Sequence, residues 1–486
     1  MVKKQKILPE GLSYEDVLIR PQASDIRSRY SDQIDTSTYI ARGAPKIKIP
    51  FISANMDTVT EALMAMEMAL HGGLGIIHRF STPDNQARQV RRVKEKTRTL
   101  EGDPPMVSED TSVKDTLDLL EKRRRGYVIV YPDKRFSGKF SGIATSRDFL
   151  LGSPEDLIAK VMTPNKNGIL LTVPKVTSLT KAVEFMKENR IEKVPVVKAN
   201  GDLVGVYTLK DDLFKESYPN ASLDKRGRLM VGAAVGVKEA DVERAHQLVQ
   251  AGVDVLVIDI AHGHLDYTKE MLRRLKKKEG IETPIIAGNV ATKEGALYLK
   301  KNGADGIKVG IGPGFVCDTR DIAGVGVPQI SAILEVTGAL GNSSSIPVMA
   351  DGGIRKPADP SKAFVAGASS VMLGTLFAGT DKSPGEPTVV EGQLMKGVRG
   401  MASATAFEDR QKLGDTTTDP ERYVPEGRQV LTPYKGKTSR VLREYSGGLR
   451  SAMSYVGAHN LKEMYKKGQL MRISHAGANE QRRSLG

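Results

Sequence analysis

The stretch VDVLVIDIAHG, residues 253–263, is a short apolar run that ends in polar residues and a glycine. Amphipathic segments with apolar residues at helical spacing, such as EADVERAHQLVQAG (239–252) and TKEGALYLKKNGA (292–304), lie between several runs of this kind. Eight such strand–helix units predict an α/β fold, a parallel (β/α)8 or TIM barrel. The other seven runs are PFISANMD (50–57), GLGIIH (73–78), LMVGAAV (229–235), PIIAGNV (284–290), GIKVGIGPG (306–314), IPVMADGG (346–353) and SSVMLGTLFAG (369–379).

The interval between the second and third runs is too long for one helix and loop, so the sequence predicts an insertion there. Residues 111–150 read TSVKDTLDLL, GYVIVYP and FSGIATSRDFL, and residues 177–213 read TSLTKAVEFM, KVPVVKA and LVGVYTLKDDL. The order helix, strand, strand, Thr-x-x-Asp, helix thus occurs twice. We expect the first part of the barrel in 1–100, a tandem insert in 101–218, and the rest of the barrel in 219–486.

Composition narrows the class of protein. Hydrophobic residues make up 40% of the 486 residues and charged residues 27%, as in a globular enzyme. No apolar stretch reaches the ~18 residues of a membrane span, no signal peptide is visible, and the C-terminal RRSLG does not match the peroxisomal Ser-Lys-Leu address. We therefore expect a cytoplasmic protein. The net charge of +14 suits anionic ligands such as nucleotides, whereas 5% aromatic residues and no Trp make nucleic acid a poor candidate.

The chain has one cysteine, which excludes intrachain disulfides and multi-thiolate metal sites. The loop GIGPGFVCDTR (310–320) places Cys317 after a predicted strand, beside Gly310, Gly312 and Gly314, which permit close approach of a ligand. A thiolate there is a candidate nucleophile. A second interpretation, a small buried hydrophobic residue, remains open.

Glycine-rich turns follow the last two predicted strands, ADGG (350–353) and LGT (373–375). Barrels of this type often bind phosphate there through backbone N–H groups, although the turns also fit barrel closure alone. The carboxylate of Asp351 can accept hydrogen bonds from ribose hydroxyls. His262 and His264 lack a third ligand at zinc-like spacing, which favours a loop near a cofactor.

Eleven motifs follow one another along the chain: MDTVTE, HGGLGIIHR, VIDIAHGH, AGNVAT, KVGIGPG, C-x-T-R, GVGVPQ, ADGGIR, MLGTLFAGT, RGM and GGLRSAM. In this order they resemble those of the inosine monophosphate dehydrogenase and GMP reductase family over nearly the whole chain. That family pairs a (β/α)8 barrel with, in many members, an inserted pair of CBS domains, and the repeat in 101–218 resembles such a tandem CBS (Bateman) domain. The CBS resemblance implies a bound purine nucleotide whose ribose is held by Asp148 and Asp211, although both residues equally suit helix caps.

The family resemblance implies covalent chemistry at C2 of a purine nucleotide. Cys317 matches the nucleophile that forms a thioimidate, and Thr319 and Glu426 match a pair that relays protons. A monovalent cation, K⁺, is implied at the backbone carbonyls of the cysteine loop, and a nicotinamide nucleotide is implied as cofactor. By the same resemblance Asp351, Gly353, Gly374, Thr375 and Met401 hold the substrate nucleotide, Asp259 and Asn289 line the dinucleotide site, and Gly312, Gly314 and Cys317 surround the cation.

The two activities of the family differ at the covalent intermediate. In the dehydrogenase the intermediate reacts with water, whereas in the reductase the partner is ammonia, which GMP releases. The family's dehydrogenases carry an Arg-Tyr pair on a flap, about a dozen residues before the glutamate that matches VPEG here. This pair acts as the base that activates water. Here Gly414 and Asp415 occupy that spacing, while Arg422 and Tyr423 lie only four and three residues before Glu426. We therefore expect a GMP reductase that uses NADPH and yields IMP and ammonia.

Other features leave alternatives. The CBS insert is commoner among dehydrogenases, so IMP dehydrogenase, which makes XMP with NAD, is the second hypothesis; a catalytically inactive nucleotide sensor is the third. Phe315 replaces a family serine that contacts phosphate, and Val398 replaces a family tyrosine nearby. NADPH follows from the reductase assignment, because no residue marks a 2′-phosphate site. The resemblance also implies a homotetramer, which paired CBS modules often join into an octamer.

Overall fold

The chain is described as a computed structural model in two units, Met1–Lys96 with Asn220–Gly486, and Thr97–Pro219. The structure describes residues 6–96, 104–123, 125–150, 152–166, 170–175, 177, 179–209, 217–341, 346–414, 416 and 418–480. The RRSLG segment considered above lies outside these residues.

Eight parallel strands in the larger unit close into a barrel, in which each strand pairs with the next along the chain and the last returns to the first. This confirms the predicted (β/α)8 barrel, since each quoted run contributes one strand. Most residues of the strands are apolar because both faces of each strand are covered, and the polar exceptions include Asp259, Lys308 and Asp351. They are β1 (Phe51–Ser53), β2 (Leu74–Ile77), β3 (Gly232–Val235), β4 (Val255–Asp259), β5 (Ile285–Val290), β6 (Gly306–Val309), β7 (Val348–Asp351) and β8 (Ser370–Leu373).

Helices surround the barrel, and their ends follow local rules of the sequence. The hydroxyl of Thr292 accepts the N–H of Gly295 at 3.3 Å and so begins the fifth helix. The eighth helix ends at Gly457, whose φ of 69° is left-handed and where a Cβ would lie 2.4 Å from the carbonyl oxygen of Ala23. These helices are α1 (Ala62–Leu70), α2 (Pro83–Glu95), α3 (Ala240–Gln250), α4 (Asp266–Arg273), α5 (Lys293–Lys301), α6 (Gln329–Leu340), α7 (Asp359–Val365) and α8 (Thr438–Val456).

A three-stranded antiparallel sheet lies between β8 and α8 and carries the flap, which we define as residues 400–428. The flap contains the helix Ala404–Lys412 and a 3-10 turn, Pro420–Arg422. Its two ends are joined because the strands that precede and follow it pair directly. The sheet strands are Thr388–Val390, Gln393–Arg399 and Gln429–Pro433, and the remaining short elements of this unit are Tyr14–Asp16, Val17–Ile19, Arg274–Lys278, Thr319–Ile322, Thr375–Ala378, Leu461–Lys467, Leu470–Arg472 and His475–Glu480.

The inserted unit is built from two halves of the same topology. In each half a short strand pairs in parallel with a longer strand, which then pairs antiparallel with the next one. The halves share a core, because Val206 of the second half packs in a cluster with Tyr127 and Ile143 of the first. That this unit is a tandem CBS domain stays a prediction. Its elements are Met106–Ser108, Val113–Arg123, Tyr127–Tyr131, Gly142–Thr145, Ser146–Phe149, Ile158–Val161, Thr163–Pro164, Val173–Pro174, Leu179–Glu188, Lys193–Val197 and Leu203–Thr208.

In neither unit does any helix within the described residues combine the length and the apolar character that a membrane span requires.

Candidate active site

Polar residues gather at the carboxyl ends of neighbouring barrel strands. Asp259 is the last residue of β4, Asp351 is the last of β7, and Lys308 is the last but one of β6. Asn289 lies near the end of β5, and Gly374 directly follows β8. Since parallel strands end on the same face of a barrel, these residues border one region, where TIM barrels place their active sites.

Cys317 lies in the loop after β6, and its thiol is partly exposed. The thiol Sγ donates to the hydroxyl Oγ1 of Thr319 at 3.3 Å. The N–H of Cys317 donates to the carbonyl of Gly314 at 3.2 Å, which closes the loop into a tight turn. A fully buried thiol is therefore not what the structure contains, and the Cys–Thr pair is within the reach that proton transfer requires.

The segment that contains Glu426 lies against the cysteine loop through main-chain contacts. Cys317 and Gly427 form an antiparallel bridge. The N–H of Asp318 donates to the carbonyl of Glu426 at 2.8 Å, and the N–H of Arg428 donates to the carbonyl of Val316 at 3.1 Å. The structure thus brings the main chains of two sequence-predicted catalytic residues together, although they are far apart in the sequence.

The aromatic residue of the flap's Arg-Tyr step is held within the flap. The ring of Tyr423 stacks on Phe407 with 3.9 Å between ring centroids, and its hydroxyl donates to the carbonyl of Ala402 at 2.8 Å. Burial raises the pKa of the Tyr423 hydroxyl, which stays protonated at neutral pH. Arg422 is exposed, and Asp415 lies outside the described residues.

A buried ionic network joins the strand ends. The ammonium Nζ of Lys308 lies 2.6 Å from Oδ1 of Asp259 and 2.7 Å from Oδ2 of Asp351. The amide of Asn55 donates to Oδ2 of Asp259 at 2.8 Å. Burial alone would lower the pKa of Lys308, but the two carboxylates outweigh it and raise that pKa. Burial alone would raise the pKa of Asp259, but Lys308 and Asn55 hold it below its usual value.

Asn289 joins the dinucleotide and nucleotide sides of the predicted site. Its Nδ2 donates to Oδ2 of Asp351 at 2.9 Å and to the carbonyl of Gly310 at 2.8 Å. Its buried Oδ1 has no hydrogen-bond partner among the described residues, so it can accept from a ligand hydroxyl or amide. This free acceptor and the Asp259 carboxylate fit a polar cofactor such as a nicotinamide dinucleotide.

The residues predicted to hold the nucleotide's phosphate are mainly backbone positions. Gly353 has a φ of 80°, and a Cβ there would lie 3.2 Å from the ring of Tyr14, so the position requires glycine. Thr375 begins a short helix directly after Gly374, and Met401 lies in the turn that opens the flap. The side chain of Phe315 is 52% exposed and that of Val398 is fully buried, and neither can donate a hydrogen bond.

Other predicted residues fall outside this region or play local roles. The ring of His264 lies 4.6 Å from that of Tyr298 and 6.3 Å from that of His262. In the described part of the chain no group of three or more His, Cys, Asp or Glu residues is arranged to hold a metal ion. The Oδ2 of Asp148 accepts from the N–H and hydroxyl of Thr145 at 2.7 and 2.8 Å, a capping box that supports the helix-cap interpretation. Asp211 lies outside the described residues.

Sequence reasoning missed Lys308, although it lies within the quoted run GIKVGIGPG. Its side chain is 2% exposed and contacts Asp259 and Asp351, which the sequence predicted as residues of two different ligand sites. A charged residue within an apolar run that both faces of the barrel bury was the signal, because lysine is almost never fully buried unless it is paired.

A closed (β/α)8 barrel that carries a thiol–hydroxyl pair and a buried ammonium–carboxylate network at its strand ends defines a barrel enzyme acting on a polar ligand. The chain belongs to the IMP dehydrogenase / GMP reductase family, whose domain model matches residues 11–483. This family comprises oxidoreductases of purine metabolism that use nicotinamide nucleotides, so the protein is an oxidoreductase.

Relatives of both activities are similar to this chain. The inosine-5′-monophosphate dehydrogenase of Aquifex aeolicus is 44% identical over 483 residues, which cover 99% of this chain and 96% of that one. The GMP reductase of Leishmania major is 41% identical over 481 residues, which cover 97% and 96%.

Solved structures of a GMP reductase share the fold. The Trypanosoma brucei enzyme with one cysteine-to-alanine substitution, in complex with guanosine 5′-monophosphate, gives a TM-score of 0.88 at 40% identity, covering 99% of this chain and 98% of that one. The same organism's enzyme in complex with guanosine 5′-triphosphate gives a TM-score of 0.77 at 37% identity, covering 96% of this chain and 98% of that one.

Proposed function

We propose that this protein is an NADPH-dependent GMP reductase, which converts GMP to IMP and ammonia. The observation that carries the proposal is the position of Tyr423. Its hydroxyl is engaged by the carbonyl of Ala402 and its ring by Phe407, so the Arg-Tyr step is part of the flap's own packing. Gly414 and Asp415 stand at the spacing expected for the Arg-Tyr pair, so neither residue of that pair is present there.

In the proposed reaction the Cys317 thiolate attacks C2 of GMP and the amino group leaves as ammonia, which gives a thioimidate. The thiol's hydrogen bond to Thr319 supports a relay in which protons pass by way of Thr319 and Glu426 to the departing amine. A bound NADPH supplies the hydride that converts the intermediate to IMP and releases the thiolate. The half-exposed loop lets Cys317 reach a nucleotide.

The ligand assignments follow the same proposal. Asp351 accepts from the ribose of GMP, backbone groups of the glycine-rich turns hold the phosphate, and Asp259 and Asn289 hold the dinucleotide. The turn between Gly314 and Cys317 presents backbone carbonyls, which are ligands that K⁺ accepts. The full set is Asp351, Gly353, Gly374, Thr375 and Met401 for GMP, Asp259 and Asn289 for NADPH, and Gly312, Gly314 and Cys317 for the cation.

The inserted unit is proposed to be a tandem CBS domain that binds a purine nucleotide. Its repeated topology and the guanosine 5′-triphosphate bound by the trypanosomal relative support this. Asp148 remains a ribose-binding candidate because its Oδ1 is not used by the capping box. A homotetramer or octamer in the cytoplasm belongs to the same proposal.

IMP dehydrogenation is the second candidate, and the 44% identity with the Aquifex aeolicus enzyme favours it. The test incubates the purified protein with GMP and NADPH, and separately with IMP and NAD, while the nucleotide products are identified. We expect IMP from GMP, and no turnover in the Cys317→Ala control. Formation of XMP from IMP would overturn the proposal, and binding without either turnover would favour the nucleotide sensor.

A further inference from the structure

Lys308 carries one of the few charges that the barrel buries completely. Its side chain is 2% exposed, and its ammonium lies between Asp259 on β4 and Asp351 on β7. Removing an ammonium from water is costly unless carboxylates compensate it. A leucine or methionine would fill this interior position without the cost of removing a charge from water. Packing alone therefore does not explain why a lysine stands there.

In the proposed function the two carboxylates bind different ligands. Asp259 binds the dinucleotide, and Asp351 binds the substrate nucleotide. We propose that Lys308 is a positioning residue that orients both carboxylates and balances their charge, so that binding of the two ligands depends on one shared ammonium. This inference rests on the proposed function for its ligand assignments.

The surroundings of Lys308 leave little freedom for its side chain. A Cβ at Gly288 of β5 would come within 2.7 Å of the Lys308 Cβ, so glycine provides the room for the lysine there. The Asn55 amide fixes the second oxygen of Asp259. The Asp259 carboxylate is thereby held from two sides, by Lys308 and by Asn55.

Asp351 keeps one oxygen for a ligand. Its Oδ2 accepts from both Lys308 and Asn289, at 2.7 and 2.9 Å. In the part of the chain that the structure describes, no donor reaches its Oδ1. An ionised carboxylate with a free oxygen accepts hydrogen bonds from ribose hydroxyls, whereas a protonated carboxyl loses part of that capacity.

The groups around Asp259 and Asp351 predict the effect of removing Lys308. Arg79 also acts electrostatically on Asp259, and Asp351 acts electrostatically on Tyr14 and accepts from the neutral amide of Asn289. Loss of Lys308 therefore removes the cation that contacts both carboxylates. Lys308 lowers the pKa of Asp259 against the effect of burial, so the pKa of Asp259 rises when Lys308 is removed. Ligand binding then requires a higher pH, because the raised pKa of Asp259 must be exceeded before that carboxylate is ionised.

The experiment compares wild type with Lys308→Met and Lys308→Arg, and measures the Kd and KM of GMP and NADPH from about pH 5 to 9. We expect Lys308→Met to lose on the order of 100-fold in kcat/KM, with weaker binding of both ligands and an acid limb moved to higher pH. Lys308→Arg keeps the charge and should recover part of both affinities. Loss of affinity for one ligand only would overturn the proposal.

A second substitution separates electrostatic positioning from a merely structural role. Adding Asp259→Asn to Lys308→Met removes the carboxylate that repels Asp351, so the affinity for GMP should rise relative to Lys308→Met alone. A structural role predicts no recovery or a further loss, and either result would overturn the inference. If circular dichroism shows that Lys308→Met is unfolded, Lys308→Gln replaces it in both arms, since glutamine keeps the polar head without the charge.

The wild-type assay keeps this test separate from that of the proposed function. If wild type makes XMP from IMP, the reductase assignment fails, and the Lys308 series is measured with IMP and NAD. If wild type turns over neither substrate, calorimetric Kd values for GMP and NADP⁺ replace the kinetic constants. In each case weakened binding of both ligands with recovery in the double variant supports the role of Lys308, and any other pattern refutes it.

Discussion

Replacing Gly400 by alanine should slow turnover by displacing the cysteine loop. A Cβ at this position would lie 2.4 Å from the carbonyl oxygen of Val316, whereas ordinary contact begins at 3.4 Å. Gly400 does not have a positive φ, so alanine meets no backbone strain, and the perturbation is the close contact with Val316 together with a milder one, 3.3 Å from the Cα of Gly427. To relieve it, Val316 must move by about 0.6–1.0 Å, and Cys317 follows Val316 in the chain. A displacement of about 1 Å at a reacting group costs on the order of 100-fold in rate.

The matched control is Gly397→Ala in the preceding strand, where a Cβ would meet nothing within 4 Å. Both variants are assayed for kcat with GMP and NADPH, and for the rate at which a disulfide reagent labels the thiol. Since Cys317 is the only cysteine, labelling reports the loop directly, whichever reaction the enzyme performs. A kcat and labelling rate for Gly400→Ala that match those of Gly397→Ala would refute the reasoning, because the loop would then tolerate the displacement.

Three further outcomes follow from the site and the core. Thr319→Val should lower kcat by on the order of 100-fold with little change in the KM for GMP, because it removes the hydroxyl partner of Cys317; an unchanged kcat would exclude the relay. Tyr423→Phe should cost about 1 kcal/mol in stability and leave GMP reduction nearly intact, whereas a loss near 100-fold would assign its hydroxyl to the reaction. Burial alone would raise the pKa of Asp224, but backbone donors and Lys94 lower it, so its stabilising effect is complete above pH ~4 and disappears as pH falls through the lowered pKa. Asp224→Asn should therefore lower the Tm at pH 7 and differ progressively less from wild type below pH ~4; a constant difference would contradict this.

The barrel could be predicted because strand formation and burial both favour the same sequence feature, a short run of apolar residues. A strand covered on both faces is mostly apolar, and each of the eight mostly apolar runs contains a barrel strand. The amphipathic segments 239–252 and 292–304 likewise contain α3 and α5. These features are local, so the sequence displays them without knowledge of tertiary contacts.

Local sequence alone predicts contacts between neighbouring site residues, whereas distant residues such as Glu426 were named only through the family resemblance. Cys317 and Thr319 lie two residues apart, and their contact follows from the loop. Asn55 and Lys308 meet Asp259 from distant parts of the chain, and periodicity carries no information on such contacts. The prediction of Lys308 would have required treating a lysine in an apolar run as a paired charge.

The proposed choice between the two reactions of the family depends on the flap rather than on the barrel. Main-chain pairing of Val316–Asp318 with Glu426–Arg428 sets the distance between the thiol loop and the flap, whichever side chains the flap carries. The nucleophile and its relay are therefore compatible with either reaction. A base for water needs a side chain in addition, and Tyr423 is already bonded to Ala402 at 2.8 Å. On this reasoning, the proposed reductase reaction rests on the flap sequence, in which Gly414 and Asp415 stand where the dehydrogenases are expected to carry the Arg-Tyr pair.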